Sequence, residues 1–365
     1  MDLLLSLPVL SYFSSSWTTW STSLNLLFFY MTWSTLVLSH SPLEVELVGI
    51  TALRVVFWLV PSLLFLAFDT LLPSLAKTVK FNGTSALPPR DAKTLAKVAS
   101  LALLNLALET AIEAAISYGL SILLDRPIFR TSTTLPLPWQ IAKHLAMLFA
   151  GREILTYYIH RHLLHGRRRH TTKTKTPRAL HGSHAHARPA PPYSLLVRAD
   201  HPLPYLLYRF APLYLPGLAL ALASPLGGGG GGGGGGHLHL LTFFLFVALA
   251  TLEETLALSG YAVVPGIVAG GMARRAVAHY TTARSNGTAT GNFGTWGVLD
   301  WMHGTSVGGG DVAADLKDEA RKHRVRERGQ DKAGVFGGFV RDGVDRLRDG
   351  KRRSGRTKSR GTKRE

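Results

Sequence analysis

Long apolar stretches, separated by short polar segments, run through most of the chain. Three of them, residues 22–39, 47–75 and 98–124, are each long enough for about 20 helical residues, which span the hydrocarbon core of a membrane. Three more carry polar or titratable side chains and are expected to pack inside a bundle or to lie partly re-entrant; they cover residues 138–160, 205–223 and 238–265. The pattern predicts an all-α fold, a polytopic membrane helical bundle.

Charged side chains inside the apolar stretches leave a second interpretation open, a large soluble helical domain with buried helices. They are Arg54, Asp69, Glu109, Glu113, Glu253 and Glu254. Charges within membrane helices are costly and usually face the interior of a bundle or a polar cavity. We therefore favour the membrane bundle.

The amino-acid composition excludes several kinds of functional site and partner. The chain has no cysteine, which excludes disulfide scaffolds, thiolate zinc sites and cysteine nucleophiles. Its net charge of +18 is concentrated in two blocks, residues 161–178 with +7 and residues 321–365 with +11. Because the basic charge is local, we expect no nucleic-acid partner. The tail over residues 311–365 is expected to be a disordered cytosolic segment that anionic lipid headgroups attract.

The basic blocks also predict the topology. Cytosolic loops of membrane proteins are enriched in Lys and Arg, so the loop at 76–97, the 161–178 block, both termini and the histidine-rich segments are expected in the cytosol. Two glycosylation sequons, at Asn82 and Asn286, would then stay unmodified. Ten consecutive glycines at 227–236 predict a flexible linker rather than a phosphate-binding loop.

Histidines are concentrated at the end of the fourth apolar stretch, with eight of the 15 between His160 and His201. Neutral imidazole is the most common metal ligand in proteins. The first cluster is His160-Arg-His-Leu-Leu-His165. On an ideal helix His162 and His165 lie about 60° apart, but His160 and His165 lie about 140° apart and share a metal only if the helix end loosens.

The second cluster is His181-Gly-Ser-His184-Ala-His186. Helical spacing places His181 and His184 on one face, whereas His186 converges with them only after a turn. A solvated basic loop over 160–188 is the alternative interpretation. Such loops are built from Lys and Arg rather than from spaced histidines, so we favour a metal site built from six or more imidazoles, which suits two redox-active iron ions.

Five segments in order resemble the fatty acid hydroxylase/sterol desaturase superfamily. They read YYIHRHLLH, LHGSHAH, DHPLPYLL, SGYAVVP and HYTTARSNGTATGNFGTWGVLDWMHGTS, and the resemblance covers about residues 138–310. Members are membrane-bound non-haem di-iron oxygenases of the endoplasmic reticulum. The resemblance implies two iron ions and a sterol, sphingoid or fatty-acyl lipid that is hydroxylated or desaturated. It also implies electrons from NAD(P)H, delivered by cytochrome b5 or a similar donor.

The resemblance therefore predicts three parts, which are N-terminal transmembrane helices at 1–137, a histidine-box hydroxylase/desaturase domain at 138–310 and the basic tail. It assigns metal ligation to His160, His165, His181, His184, His186, His201 and His279. His162 and His303 are further candidates. Asn292 lies in a segment that resembles the family's Asn-Tyr-Gly turn. It and Glu254 are expected to orient the ligand histidines without binding the metal themselves.

The sequence departs from the family pattern at three points. The second histidine box reads HxxHxH, and Leu258 stands where the family has a histidine before Ser-Gly-Tyr. The third box offers only His279, because the expected later histidines fall near Thr282 and Ala283. A catalytically inactive membrane scaffold of the same family is therefore an alternative function, and a histidine-lined metal transporter is a third.

Overall fold

The computed structural model describes residues 20–81, 83–166, 176–186, 193–223, 238–262, 267–286 and 291–308. The glycine tract at 227–236, the tail from residue 311 and the sequon residue Asn82 lie outside the described residues, so the predictions about them stay predictions. Within the described residues every regular element is a helix, and the backbone bridges outside helices are two isolated ones. The predicted all-α fold is confirmed.

The first part of the chain forms four helices, α1 (Trp20–Ser39), α2 (Pro42–Leu71), α3 (Pro73–Val79) and α4 (Ala92–Leu124). Ser41 begins α2 with a capping box, in which its hydroxyl accepts the amide proton of Glu44 and the Glu44 carboxylate accepts that of Ser41. Asp91 caps α4, and Asp125 ends it in the left-handed conformation.

Six more helices follow. They are α5 (Pro138–Tyr158), α6 (Pro177–His181), α7 (Pro202–Leu222), α8 (Leu240–Ala257), α9 (Ile267–Asn286) and α10 (Val298–Met302). Short 3₁₀ turns lie at Gly83–Ala86 and Ser194–Arg198. A proline in the first turn of several helices fits because the first amide of a helix has no intrahelical acceptor.

Four helices are long and apolar enough to cross a membrane, namely α2, α4, α7 and α8. The first predicted crossing is a shorter apolar helix over Leu24–Ser39. The fourth, α5, is not among the four because Lys143, Arg152 and Glu153 lie within its 21 residues. The structure thus supports a multi-pass membrane protein, with four of the six apolar stretches forming helices that meet the length and composition of a span.

Several charged side chains in the middle of the apolar helices, among them Arg54, Glu109 and Glu113, face inward, as expected for a membrane bundle. Both terminal nitrogens of Arg54 donate to the Glu113 carboxylate at 2.6 Å, and Arg198 Nε donates to Glu109 Oε1 at 2.9 Å. All four side chains are buried, and their two positive and two negative charges balance. Buried charges are tolerated when they are paired in this way.

Three further ion pairs, centred on Asp69 and Arg152, lie near the ends of the helices. Asp69 pairs with Lys80 and accepts the hydroxyl proton of Tyr261 at 2.7 Å. Arg152 of α5 donates to Glu253 at 3.1 Å and to Glu254 at 2.8 Å on α8. The pairs of Arg152 hold α5 against α8, and the hydrogen bond from Tyr261 to Asp69 holds the segment after α8 against the end of α2.

Apolar packing joins the N-terminal helices to the rest of the bundle. Gly49 of α2 and Gly217 of α7 lie against the rings of Phe244 and Phe243 on α8, so closely that a Cβ atom would approach ring carbons to 2.2 and 2.4 Å. Small residues at such crossings let membrane helices come close. The described helices on both sides of the predicted boundary at 137/138 belong to one compact unit.

Candidate metal centre

Histidines from the turn that follows α5, from the end of α6 and from α9 converge on one point. The ligand nitrogens of His160, His165, His181 and His279 all lie within 4.8 Å of one another, so the four side chains can hold a metal ion. His186 adds a fifth ring, whose Nε2 lies 3.1 Å from Nε2 of His181 and 3.3 Å from Nε2 of His165. We call these five residues the histidine cluster. Metal–nitrogen bonds of 2.0–2.1 Å in a tetrahedral site place neighbouring nitrogens about 3.3 Å apart, close to both distances.

A π-helical turn brings the first histidine pair together. The helix widens over Ile159–Leu164, and the His165 amide donates to the His160 carbonyl, five residues back, at 3.0 Å. A residue five positions along such a turn lies roughly above its partner instead of 140° away. The helix end therefore loosens in the way the sequence required for His160 and His165 to meet.

A second π-helical turn brings His181 and His186 together. A π-helical turn over Gly182–His186 follows α6 and brings His181 and His186, again five positions apart, to the same point. His184 lies outside the cluster, since its Nδ1 contacts the Leu180 carbonyl at 3.0 Å and its ring packs on His201 at 5.2 Å between centroids. The sequence expectation of a shared face for His181 and His184 thus gives way to a pair formed by His181 and His186.

Backbone carbonyls fix the orientation of two of the rings. His160 Nδ1 lies 3.0 Å from the Phe293 carbonyl oxygen, and His279 Nδ1 lies 2.8 Å from the Gly291 carbonyl oxygen. A carbonyl only accepts, so Nδ1 carries the proton in both rings, and in a neutral ring Nε2 then presents a lone pair. These lone pairs belong to nitrogens that lie at the centre of the cluster.

Asn292 sits between these two carbonyls and holds them in place. It adopts a φ of 58°, its side-chain amide donates to the Val307 carbonyl at 3.0 Å, and its side-chain oxygen accepts the Val307 amide at 3.1 Å. The Asp300 carboxylate accepts the amides of Phe293 and Gly294 at 2.9 and 2.7 Å. The segment that resembles the Asn-Tyr-Gly turn is therefore the backbone support for two rings of the cluster.

A carboxylate orients a third ring. His181 Nδ1 lies 2.7 Å from Asp200 Oδ2, and both side chains are buried. Asn105 of α4 positions that carboxylate, because its amide donates to the carbonyls of Arg198 at 2.6 Å and Asp200 at 2.9 Å. Carboxylate–histidine–metal arrangements of this kind fix the tautomer and raise the basicity of the ligand.

Four rings of the cluster, those of His160, His165, His186 and His279, are kept neutral. Burial, followed by the neighbouring imidazoles, lowers the pKa of His160 and His165 well below the ordinary value for histidine. Burial lowers the pKa of His186 to about 2 and that of His279 to about 4. His160 Nε2 has no hydrogen-bond partner, and neither has His186 Nδ1. Buried nitrogens without partners are costly in a protein that has no ion at this point.

The remaining predicted residues lie elsewhere. His201 accepts the Leu203 amide at 3.3 Å and begins α7. His162 is exposed and stacks on Tyr158, and His303 is exposed and lies 3.4 Å from the Tyr158 hydroxyl. The Glu254 carboxylate pairs with Arg152 and, at 3.4 Å, with Arg209, so its contacts are with arginines on neighbouring helices.

Sequence reasoning missed four supporting features, Asp200, the carbonyls of Gly291 and Phe293, and the ring of Tyr208. The Tyr208 ring packs against His160 at 5.2 Å and His181 at 5.1 Å between centroids. Asp200 precedes His201 in the Asp-His-Pro sequence. A carboxylate next to a candidate ligand histidine was a signal that could have identified it. Nothing in the sequence indicates which carbonyls contact the histidine rings, because every residue has a backbone carbonyl.

A pocket with about 580 Å³ of space, part of it open to the outside, borders the cluster. His160, His181 and His279 form part of its wall. The rest of the wall includes charged and hydroxyl-bearing side chains as well as apolar ones, among them Arg209, Glu254, Arg275, Tyr280, Leu258 and Met272.

The donor set fits a divalent transition metal. Neutral imidazoles bind zinc, copper, iron and nickel, and a cluster without thiolates or carboxylates disfavours the hard cations calcium and magnesium. No known protein-family model matches the chain, and no solved structure matches it.

Proposed function

We propose that the protein is a membrane-bound iron oxidoreductase that hydroxylates or desaturates a lipid with O₂. The convergence of buried imidazole nitrogens, with the protons of His160 and His279 held on Nδ1 by backbone carbonyls, carries the proposal. The order of the histidine-containing segments, which resembles the fatty acid hydroxylase/sterol desaturase superfamily, supports iron as the metal and a sterol, sphingoid or fatty-acyl lipid as the substrate.

The histidine cluster would hold the first iron. A second iron, which the resemblance implies, would draw on His184 and His201, whose rings pack against each other 5.2 Å apart beside Asp200. Bound iron supplies the reduction of O₂ that attack on an unactivated C–H bond requires. Hydroxylation consumes O₂, two electrons and two protons and yields the alcohol and one water, whereas desaturation consumes the same and yields the alkene and two waters.

The chain's own residues would orient the histidine ligands and bury them. Asp200 and the carbonyls of Gly291 and Phe293 hold three rings in one tautomer, so the ligands need no rearrangement when a metal binds. Tyr208, Phe293 and the helix ends bury His160, His181 and His279 and so limit the access of water to their rings. The adjoining pocket gives the substrate a place beside the ligands.

The cellular setting is part of the same proposal. Electrons would come from NAD(P)H through cytochrome b5 or a similar donor, in the endoplasmic reticulum membrane, with the termini and the histidine cluster on the cytosolic side. The four candidate spans support membrane integration. The basic block at 161–178, which begins inside the first π-helical turn, supports the cytosolic side for the cluster.

The experiment is expression of the full chain in a eukaryotic host under ¹⁸O₂, with the His160→Ala/His279→Ala variant as the comparison. We expect a lipid that gains one ¹⁸O atom, or a lipid that loses two hydrogens, in cells with the wild-type chain only. Equal lipid profiles in both cultures, with iron bound, would favour the inactive scaffold. Zinc or iron flux in proteoliposomes, lost in the same variant, would favour the transporter.

A further inference from the structure

Helix α5, which leads into the histidine cluster, buries two of its three charged side chains. Arg152 and Glu153 are 2% and 6% exposed, and both bind other parts of the protein. Beyond Lys143 the exposed residues of the helix recur about once per turn and are apolar apart from one hydroxyl group. They are Ala146, Met147, Ala150, Ile154 and Tyr158, which we call the α5 outer face. The charges that distinguish α5 from the four candidate spans therefore lie elsewhere on the helix.

Helix α5 packs directly alongside two of those spans. Gly151 lies against Pro216 of α7, where a Cβ atom would approach the proline ring to 3.0 Å. The Phe149 ring packs edge-on against the Phe246 ring of α8, with 4.9 Å between the two centroids. Because both contacts fall within the apolar lengths of α7 and α8, we expect α5 to share their depth in a membrane.

Aromatic side chains mark the two ends of α5. Trp139 and Tyr158 are both exposed and lie 19 residues apart, which is about 28 Å along a helix axis. The hydrocarbon core of a bilayer is about 30 Å thick, and Trp and Tyr are enriched at its two interfaces with water. Lys143 lies one turn from Trp139, so its flexible stem lets the ammonium group reach the same interface.

Helix α10 extends the apolar surface at the end where the cluster lies. The Tyr158 hydroxyl lies 3.4 Å from Nε2 of His303, the residue that follows α10. Trp301 and Met302 are 55% and 65% exposed, whereas Asp300 on the inner side of the same helix is fully buried. An exposed tryptophan near an exposed tyrosine is typical of the boundary between lipid and water.

We infer that the α5 outer face and the exposed side of α10 contact lipid, with Trp139 at one membrane interface and Tyr158 and Trp301 at the other. Extended apolar surface on the outside of a protein marks a site of interaction. Lipid is the occupant that matches the length of the face, the aromatic side chains at its ends and the spans beside it.

The inference goes beyond the proposed function, because it makes α5 a fifth membrane-crossing helix and gives the metal centre a depth. His160 follows Tyr158 by two residues, so the histidine cluster begins at the boundary of the hydrocarbon. A ligand dissolved in the membrane reaches the level of the cluster without leaving the lipid.

The test uses single cysteines that carry a nitroxide spin label, in the full chain reconstituted into phosphatidylcholine vesicles. The chain has no cysteine of its own, so each variant carries one label only. Molecular oxygen concentrates in hydrocarbon and a neutral nickel chelate stays in water, so the ratio of their collision rates with the label reports its depth. Ala146→Cys, Ala150→Cys and Ile154→Cys probe the α5 outer face, and Met302→Cys probes α10.

Two further variants provide the references. Leu249→Cys is at an exposed position of the candidate span α8, and Lys93→Cys is at an exposed position in the first turn of α4. We expect the three labels on the α5 outer face to give the oxygen-to-nickel ratio of Leu249→Cys. The label of Met302→Cys should give a ratio between those of the two references. Each variant should elute as the same monodisperse species as the wild type, because these positions are exposed.

Two results would overturn the inference. Labels on the α5 outer face with the ratio of Lys93→Cys would mean that water covers the face. Immobilised labels shielded from both reagents would mean that protein, such as a second copy of the chain, covers it. Neither result depends on catalysis, so both leave the proposed function standing. A lipid-facing α5 in a protein that oxidises no lipid would overturn the proposed function alone.

Discussion

At the scale of single residues, the site depends on what each histidine's second nitrogen touches. Three of the five rings are held through Nδ1 by Phe293, Gly291 and Asp200. The sequence predicted all five histidines as ligands, because density and spacing are visible in it. It did not separate His186 from His184, since that choice depends on a π-helical turn that no residue pattern announces.

The distinction between His184 and His186 is testable. His186→Ala removes a ring whose Nε2 lies 3.1 Å from that of His181, so we expect metal affinity to fall by 10-fold or more, as for loss of a ligand or its support. His184→Ala removes a ring outside the cluster and should leave the tightest metal site intact. Isothermal titration of the metal-free protein with Zn²⁺ measures both. A larger loss in His184→Ala than in His186→Ala would contradict the assignment.

The buried neutral rings also predict a pH dependence. Burial lowers the pKa of His279 to about 4 in the folded chain, against about 6.5 in an unfolded one. Between these values the unfolded chain binds the proton and the folded chain does not, so stability rises with pH and is lost as pH falls from about 6.5 towards 4, by up to about 3 kcal/mol for this group alone.

The measurement is the unfolding temperature of the metal-free protein in detergent between pH 7 and 5. We expect it to fall as the pH is lowered, and to fall less steeply in His279→Asn, whose side-chain amide can still donate to the Gly291 carbonyl. Identical slopes for the two proteins would show that His279 is not a buried neutral ring.

At the scale of elements, the decisive features are the π-helical turns and the long helix α4. Both π-helical turns in the cluster place residues five apart on one side, which a 3.6-residue period does not. Two more such turns, Val55–Leu59 and Leu206–Phe210, lie just before Pro61 and Pro212. Proline lacks an amide proton and disturbs the hydrogen bonds of the preceding turn, so those two had a sequence signal. Of the two in the cluster, Ile159–Leu164 has no proline within the ten residues that follow it, and Gly182–His186 is followed by Pro189 three positions later.

Helix α4 lies outside the segments that resemble the superfamily, yet it contacts the support of the site. Asn105 donates to the backbone carbonyls of Arg198 and of Asp200 itself. Asn105→Leu leaves these carbonyls without a donor, so we expect the Asp200 carboxylate to shift and metal affinity to fall by about 10-fold. Ser117→Ala, also buried on α4 but bonded to Glu46 and Tyr214, should leave affinity unchanged.

A double-mutant cycle separates positioning from general damage. If Asn105 acts through Asp200, then Asn105→Leu should cost little further affinity in an Asp200→Asn background, because the interaction it supports is already weakened. Zn²⁺ affinity of the four proteins is the measurement. Fully additive losses would mean that Asn105 affects the site by another route.

At the scale of the whole molecule, the sequence predicted the class of fold and the inward-facing charges, because both follow from apolar length and the cost of burying charge. It contains six long apolar stretches, and four of them form helices that meet the requirements of a span. Helix α5 departs because its charged pair, Arg152 and Glu153, supports the site from inside the protein. Arg152 binds α8, and Glu153 binds the backbone beside Phe293. That use of charge depends on tertiary contacts that the sequence alone does not display.

The metal content of the full chain tests the central claim most directly. After purification in detergent and anaerobic reconstitution with Fe²⁺, we expect about two irons per chain by elemental analysis, and loss of most of that iron in His160→Ala/His279→Ala, which removes two members of the cluster. The variant should elute as the same monodisperse species as the wild type. A wild-type chain that binds no iron under these conditions, or a variant that binds as much as the wild type, would contradict a metal centre built from the histidine cluster.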